Sequence, residues 1–138
     1  MIQEKKRRGR PPKESMKPSD KKQDATSHCR FPTKRVFICS PLKGNIDKNM
    51  ANAETYCRFA FDKGYVPIAP HIYYPRFLND NDKNERKAGL RYGMEEMWRC
   101  KQLWCFGEKI TEGMRAEIEL AMQLQIPVKY YDEDMEAI

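Results

Sequence analysis

Glu117 stands four residues after Gly113 in Gly113-Met-Arg-Ala-Glu117-Ile-Glu-Leu-Ala121, where the apolar residues recur at helical spacing. Gly113 permits close backbone approach at a helix start, and free N–H groups there favour an anion. Glu117 falls about one turn inside that helix, where the helix dipole helps keep a carboxylate ionised. An ionised carboxylate facing a sugar's anomeric carbon can attack it and form a covalent glycosyl-enzyme. A Glu near a helix start is also a common solvated residue, so spacing alone leaves both roles open.

Three further groups carry polar chemistry. Ser40-Pro41-Leu-Lys43-Gly44 combines a hydroxyl, backbone amides and a cation, a set able to hold a phosphate. Arg115, beside Gly113 and Met114, can add a two-pronged contact to the same anion. Pro70-His71-Ile-Tyr73-Tyr74-Pro75 offers rings that stack on a base and an imidazole that donates or accepts a hydrogen bond. Asp80 and Asp82 follow, and either can supply the proton that a departing base needs. Glu95 and Glu96 are weaker offers for that task.

These residues need elements to hold them. Arg35–Ser40 is a short β-branched and aromatic run, read as a buried strand. Met50, Ala53, Cys57, Ala60 and Phe61 recur at helical spacing, with Asp47 as cap and Gly64 as stop. Tyr65–Ala69 reads as a second strand, and Pro67 puts it at an edge or a strand end. Pro70 to Asp82 reads as a long loop. A helix follows from about Asn84 to Cys100, with Leu90, Met94, Met97 and Trp98 on one face. Gln102–Phe106 is a third strand, a loop to Gly113 leads to the Glu117 helix, and Ile126–Tyr131 is a fourth strand before a loose acidic end. This β-α-β-α-β-α-β alternation predicts an α/β fold: a small doubly wound, Rossmann-like parallel sheet of four to five strands in the order 2-1-3-4, with helices on both faces. Ligands of such sheets bind outside the carboxyl ends of the strands, which is where the Ser40, Pro70–Asp82 and Gly107–Gly113 loops fall.

Charge divides the 138 residues in two. Residues 1–33 hold ten Lys/Arg and four Asp/Glu, while residues 34–138 hold sixteen of each sign. The first 33 residues, with four prolines and few large apolar side chains, read as a disordered basic tail, and 34–138 as one folded domain. Within the tail, Arg8-Gly9-Arg10-Pro11 resembles an AT-hook. An extended Arg-Gly-Arg fits the narrow minor groove of A·T-rich DNA, and flanking lysines meet phosphates. A generic basic tail is the equal alternative.

Five cysteines without CxxC spacing, no secretory segment and no apolar run of membrane length point to a cytoplasmic chain with reduced thiols and no membrane association. Cys39, Cys57 and Cys105 read as small core residues. Two histidines, His28 and His71, with no grouped ligands argue against a metal site.

The Gly113-x-x-x-Glu117-x-x-x-Ala121 pattern, opening a helix after the third strand, resembles the nucleophile motif of the nucleoside 2-deoxyribosyltransferases. It is similar also to that of the 2′-deoxynucleoside 5′-phosphate N-hydrolases. Ile38-Cys-Ser40-Pro-Leu-Lys-Gly44 matches their ligand loop after the first strand. The likeness covers most of residues 35–131. Ile38–Pro41, Pro67–His71 and Trp104–Ile118 resemble a bacterial and phage branch of that superfamily, a link to mobile elements. The chain departs from these enzymes at Glu119, where they usually carry Gly, and at Lys101, where relatives often carry Asp.

The resemblance implies Glu117 as nucleophile at C1′ of a deoxyribose; the acid that assists the leaving base is not carried over by it, and Asp80, in the loop after the second strand, is the residue offered for that task. It implies Ser40 at a 5′-phosphate, while the relatives' Arg in that loop is not matched and Lys43 stands close by. The chemistry of the residues themselves adds Pro41, Lys43, Gly44, Gly113, Met114 and Arg115 around the sugar or phosphate, and His71 and Tyr73 nearer the base. The resemblance implies N-glycosidic cleavage or transfer on a deoxynucleoside or its 5′-monophosphate, without cofactor or metal, in a homo-oligomer. A non-catalytic nucleotide-binding or regulatory module tethered to DNA by the tail is the alternative.

Overall fold

The computed structural model describes residues 34–138. The basic tail, with Arg8, Gly9, Arg10 and Pro11, lies outside the described residues. The elements run β1 (Arg35–Cys39), α1 (Ile46–Asp62), β2 (Val66–Ile68), α2 (Pro70–Tyr73), a 3-10 turn (Tyr74–Arg76), α3 (Lys83–Trp98), β3 (Gln102–Phe106), α4 (Glu112–Gln123) and β4 (Val128–Tyr131). The four strands form one parallel sheet in the order β2-β1-β3-β4, as the alternation of elements predicts.

The central strands are apolar on both faces because helices cover both. Phe37, Cys39, Leu103 and Cys105 point to one side, where they pack with Met97 of α3 and Met114, Ile118 and Ala121 of α4. Val36, Ile38, Trp104 and Phe106 point to the other, against Tyr56 and Ala60 of α1. Successive side chains of a strand alternate between faces, so one five-residue strand serves both cores. Pro67 sits in β2, an edge strand, where its missing N–H costs no ladder bond.

Several local expectations are corrected. Asn45, not Asp47, caps α1: its side chain accepts from the Lys48 N–H at 3.2 Å, because it directly precedes the first helical turn. The stretch expected as loop from Pro70 contains α2 and the 3-10 turn, opened by prolines at positions where a missing N–H is harmless. Helix α4 starts at Glu112, before Gly113, with the Thr111 side chain accepting from the Met114 N–H at 3.2 Å. The acidic end is not loose: the Asp132 side chain accepts N–H groups of Asp134 and Glu136, and Ala137 bridges back to Tyr131. The expected apolar face of α3 is split. Met97 is buried, while Leu90, Met94 and Trp98 are exposed.

Candidate active site

The carboxyl edge of the sheet opens into a cavity of about 530 Å³, a size ordinary for small-molecule sites. It lies between the segment after β2, α3 and α4. Lys43, His71, Asp80, Gly113 and Glu117 line it together, so five of the expected residues from four separate segments meet at one place.

Each is held by local structure. Ser40 follows the last residue of β1 and is buried. Its Oγ lies 2.8 Å from Nε2 of His71, in the first turn of α2. Burial pushes the His71 pKa down to about 4, so the imidazole is neutral at pH 7 and pairs with the hydroxyl as one donor and one acceptor. The chain then turns through Gly44, whose φ of +100° suits glycine. Asn49 of α1 clamps this loop by donating from Nδ2 to the carbonyls of Leu42, at 2.9 Å, and Lys43, at 3.0 Å. The Lys43 ammonium is thereby placed at the exposed rim.

Glu117 is half-buried on the cavity wall. Burial pushes its pKa up to about 7, and the Cys39 thiol beneath it pulls the other way. The help expected from the helix dipole is therefore outweighed at this position. The dipole fades beyond the first turn, and desolvation outweighs it. A carboxyl group that titrates near neutrality can serve as nucleophile or as acid. At the start of α4, Thr111 occupies the Met114 N–H and leaves those of Glu112 and Gly113 outside the helix ladder, with Gly113 on the cavity wall.

Other expected residues fall elsewhere. The Met114 side chain is 2% exposed and packs in the core, because its position on α4 faces the sheet. Arg115 is exposed and not on the cavity wall, since it sits on the outer side of the first turn. Pro41 borders a separate cleft of about 40 Å³, and Gly44 only shapes the loop. Tyr73 is not on the cavity wall, and Tyr74 lines it instead. Both tyrosine hydroxyls donate to the carboxylate of Glu96, which fixes the pair to α3 and occupies that acid. Of the two candidate aspartates, Asp82 caps α3, accepting from Asn84 and Glu85 N–H groups. Asp80 stays on the cavity wall.

Reading the sequence missed the α3 wall: Glu85, Arg86, Gly89, Leu90, Gly93 and Met94. Its signal was Glu85, Gly89 and Gly93 at steps of four, one helix face thinned by two glycines. A Cβ on Gly89 would stand 3.3 Å from Leu78 Cδ1, and one on Gly93 would stand 4.0 Å from Pro70. The thin face lets the 70–78 segment lie close to α3. Glu119 and Gln123 of α4 also line the cavity. Among the described residues there is no group of three or more His, Cys, Asp or Glu side chains placed to hold a metal ion, and no helix long and apolar enough to cross a membrane.

The four-stranded parallel sheet in this order, with a ligand-sized cavity at its carboxyl edge, is a doubly wound α/β fold that a solved 2-deoxyribosyltransferase shares. The structure of the 2-deoxyribosyltransferase from the psychrotolerant bacterium Bacillus psychrosaccharolyticus superposes with a TM-score of 0.57 at 18% identity, covering 75% of this chain and 76% of that one. Residues 34–131 match the family described as "Domain of unknown function (DUF7768)", and the chain belongs to that family. No curated protein matches the chain.

Proposed function

We propose that the domain cleaves or transfers the N-glycosidic bond of a deoxynucleoside or its 5′-monophosphate, with Glu117 as nucleophile. The observation that carries this reading is the half-buried Glu117 carboxyl on the wall of the cavity, titrating near neutrality beside Lys43, His71 and Asp80. The fold it shares with a 2-deoxyribosyltransferase supports the same chemistry.

In this reading a Glu117 oxygen forms a bond to C1′ as the C1′–N bond breaks. The base leaves with the bonding electron pair and takes a proton from the Asp80 carboxyl or from solvent. Water or a second base then attacks C1′, gives up its proton to the Asp80 carboxylate or to solvent, and frees the Glu117 carboxylate as the C1′–O bond breaks. Water gives hydrolysis, and a base gives transfer. In this reading Lys43 and the Gly113 N–H bind a 5′-phosphate or sugar hydroxyl and the Tyr74 ring stacks on the base, which their position on the cavity wall supports.

The test is to incubate the protein with each deoxynucleoside and deoxynucleoside 5′-monophosphate, with and without a second free base, and follow base release. Release that Glu117→Ala abolishes is expected, and its dependence on the acceptor separates hydrolase from transferase. No release from any substrate by folded protein overturns the catalytic reading. A second reading, a nucleotide-binding module, is favoured by Glu119. Its carboxylate shares the cavity and opposes the charge that Glu117 must carry to attack. Binding that survives in Glu117→Gln without turnover in the wild type would select it.

A further inference from the structure

Glu96 of α3 is half-buried, and the reaction above gives it no task. Each of its carboxylate oxygens accepts from one tyrosine: Oε1 from the Tyr73 hydroxyl and Oε2 from the Tyr74 hydroxyl. Among the described residues no Lys or Arg comes within ion-pairing distance of it. It is therefore not one half of a surface ion pair. Burial and the Glu96 carboxylate push both phenols up, Tyr74 to about 12, so both stay protonated and remain donors at neutral pH. A hydrogen bond to an ionised acceptor is stronger than one between neutral groups.

Only one of the two rings belongs to the cavity. Tyr74 lines it, and Tyr73 does not. Around the Tyr74 ring stand those of Tyr73, Phe77 and Tyr92, with centroids at 4.6, 5.8 and 5.6 Å and planes at 60°, 78° and 50°. None of the three stacks parallel on it, and none lines the cavity. The backbone beneath is short-range: Tyr74 stands where the four residues of α2 give way to the 3-10 turn. Side chains therefore hold this segment in place. Ser40 meets His71, Glu85 Oε1 accepts the Asn79 N–H at 2.6 Å, and between those ties the Glu96 carboxylate holds Tyr73 and Tyr74.

We infer that Glu96 is a positioning residue that sets affinity for the base: by accepting from both tyrosines it holds the Tyr74 ring on the cavity wall as a stacking platform, with Tyr73 as its brace. The inference rests on the reading above, in which Tyr74 stacks on the base of a bound nucleoside or nucleotide. A tyrosine ring has two side-chain torsions, and tying its hydroxyl to α3 fixes where its far end lies. The ordering cost of the platform is then met in folding rather than on binding. Any planar base can stack on it, and a purine, with the larger face, gains more than a pyrimidine. Stacking acts alike on bound substrate and transition state, so loosening the ring raises KM and spares kcat.

The test measures kcat and KM for base release from deoxyadenosine, thymidine and their 5′-monophosphates, or Kd by calorimetry where no base is released. Glu96→Gln keeps the size but leaves a single acceptor oxygen for two hydroxyls. It should raise KM or Kd roughly threefold to tenfold for the purine ligands and less for the pyrimidine ones, with kcat nearly unchanged. Tyr74→Phe, which has no hydroxyl to hold, should show the same loss, and adding Glu96→Gln to it should cost little more. Glu95→Gln removes the same charge one residue away and should alter neither constant. A role in stability alone would lower the melting temperature and weaken purine and pyrimidine ligands alike. That result, wild-type affinity in folded Glu96→Gln, or a full further loss on adding Glu96→Gln to Tyr74→Phe overturns the inference. If Glu96→Gln fails to fold, Tyr74→Phe decides: purine affinity equal to the wild type overturns it. Wild-type protein that binds and releases none of the four compounds removes the underlying reading as well, a result distinct from intact binding that ignores Glu96.

Discussion

Ser40 Oγ and His71 Nε2 lie 2.8 Å apart and join the end of β1 to the first turn of α2 across 31 residues of sequence. The bond holds a neutral imidazole, because burial keeps the His71 pKa near 4, below its ordinary value of 6.5. In the unfolded chain His71 binds a proton at a higher pH than in the folded one. Stability is therefore fully present above about pH 6.5 and is lost as pH falls toward 4. The contribution at risk is on the order of 2–3 kcal/mol. Thermal unfolding of His71→Asn should show a flatter acid limb than the wild type; an identical limb would contradict the assignment.

Glu117 has the opposite sign. Its folded pKa is raised from 4.5 to about 7, so the folded state holds the proton more tightly. Its contribution is present below about pH 4.5 and is lost as pH rises through 7. Glu117→Gln keeps the shape without the charge. It should raise the melting temperature by several degrees at pH 8 and leave it almost unchanged at pH 4. Equal shifts at both values would show that burial does not control this carboxyl.

The same pKa governs turnover. A nucleophilic carboxylate must be ionised, so kcat/KM for base release should climb about tenfold per pH unit below 7 and level off above it. A profile that stays flat between pH 5 and 8 would exclude Glu117 as the nucleophile in the free enzyme.

Gly93 tests the thin face of α3. An added methyl would meet Pro70 at 4.0 Å, which is ordinary contact, and glycine weakens a helix interior by about 0.5–1 kcal/mol relative to alanine. Gly93→Ala should raise the melting temperature while narrowing the cavity, so KM should rise for the largest bases first. A lower melting temperature would mean that α3 and the 70–78 segment lie closer than these distances say.

The basic tail gives a separable prediction. Removing residues 1–33 should abolish salt-sensitive binding to A·T-rich duplex DNA, measured by gel shift, and leave base release unchanged. Retained DNA binding would move that property to the folded domain, whose charges balance.

Strand order, the two-faced core and the sheet edge that carries the site were all readable from the chain. Val36/Ile38 and Phe37/Cys39 alternate within a continuously apolar run, and runs of that kind separated by helical periods admit few parallel topologies. Lys43, His71, Asp80 and Gly113 could be grouped as candidates because they occupy loops or helix starts after the strands, and Glu117 because it follows Gly113 by one helical turn. Whether Tyr73 or Tyr74 faces the cavity depended on the turn of α2 and on Glu96, 22 residues beyond Tyr74, which local spacing does not report. The role of Asp82 as a cap was likewise settled by where α3 begins. The ionisation of Glu117 was decided only by tertiary structure. Helix position alone favours the charged form, but the sheet beneath, with Cys39 and Cys105 side by side, removes water from the carboxyl, and that desolvation outweighs a dipole that fades within one turn.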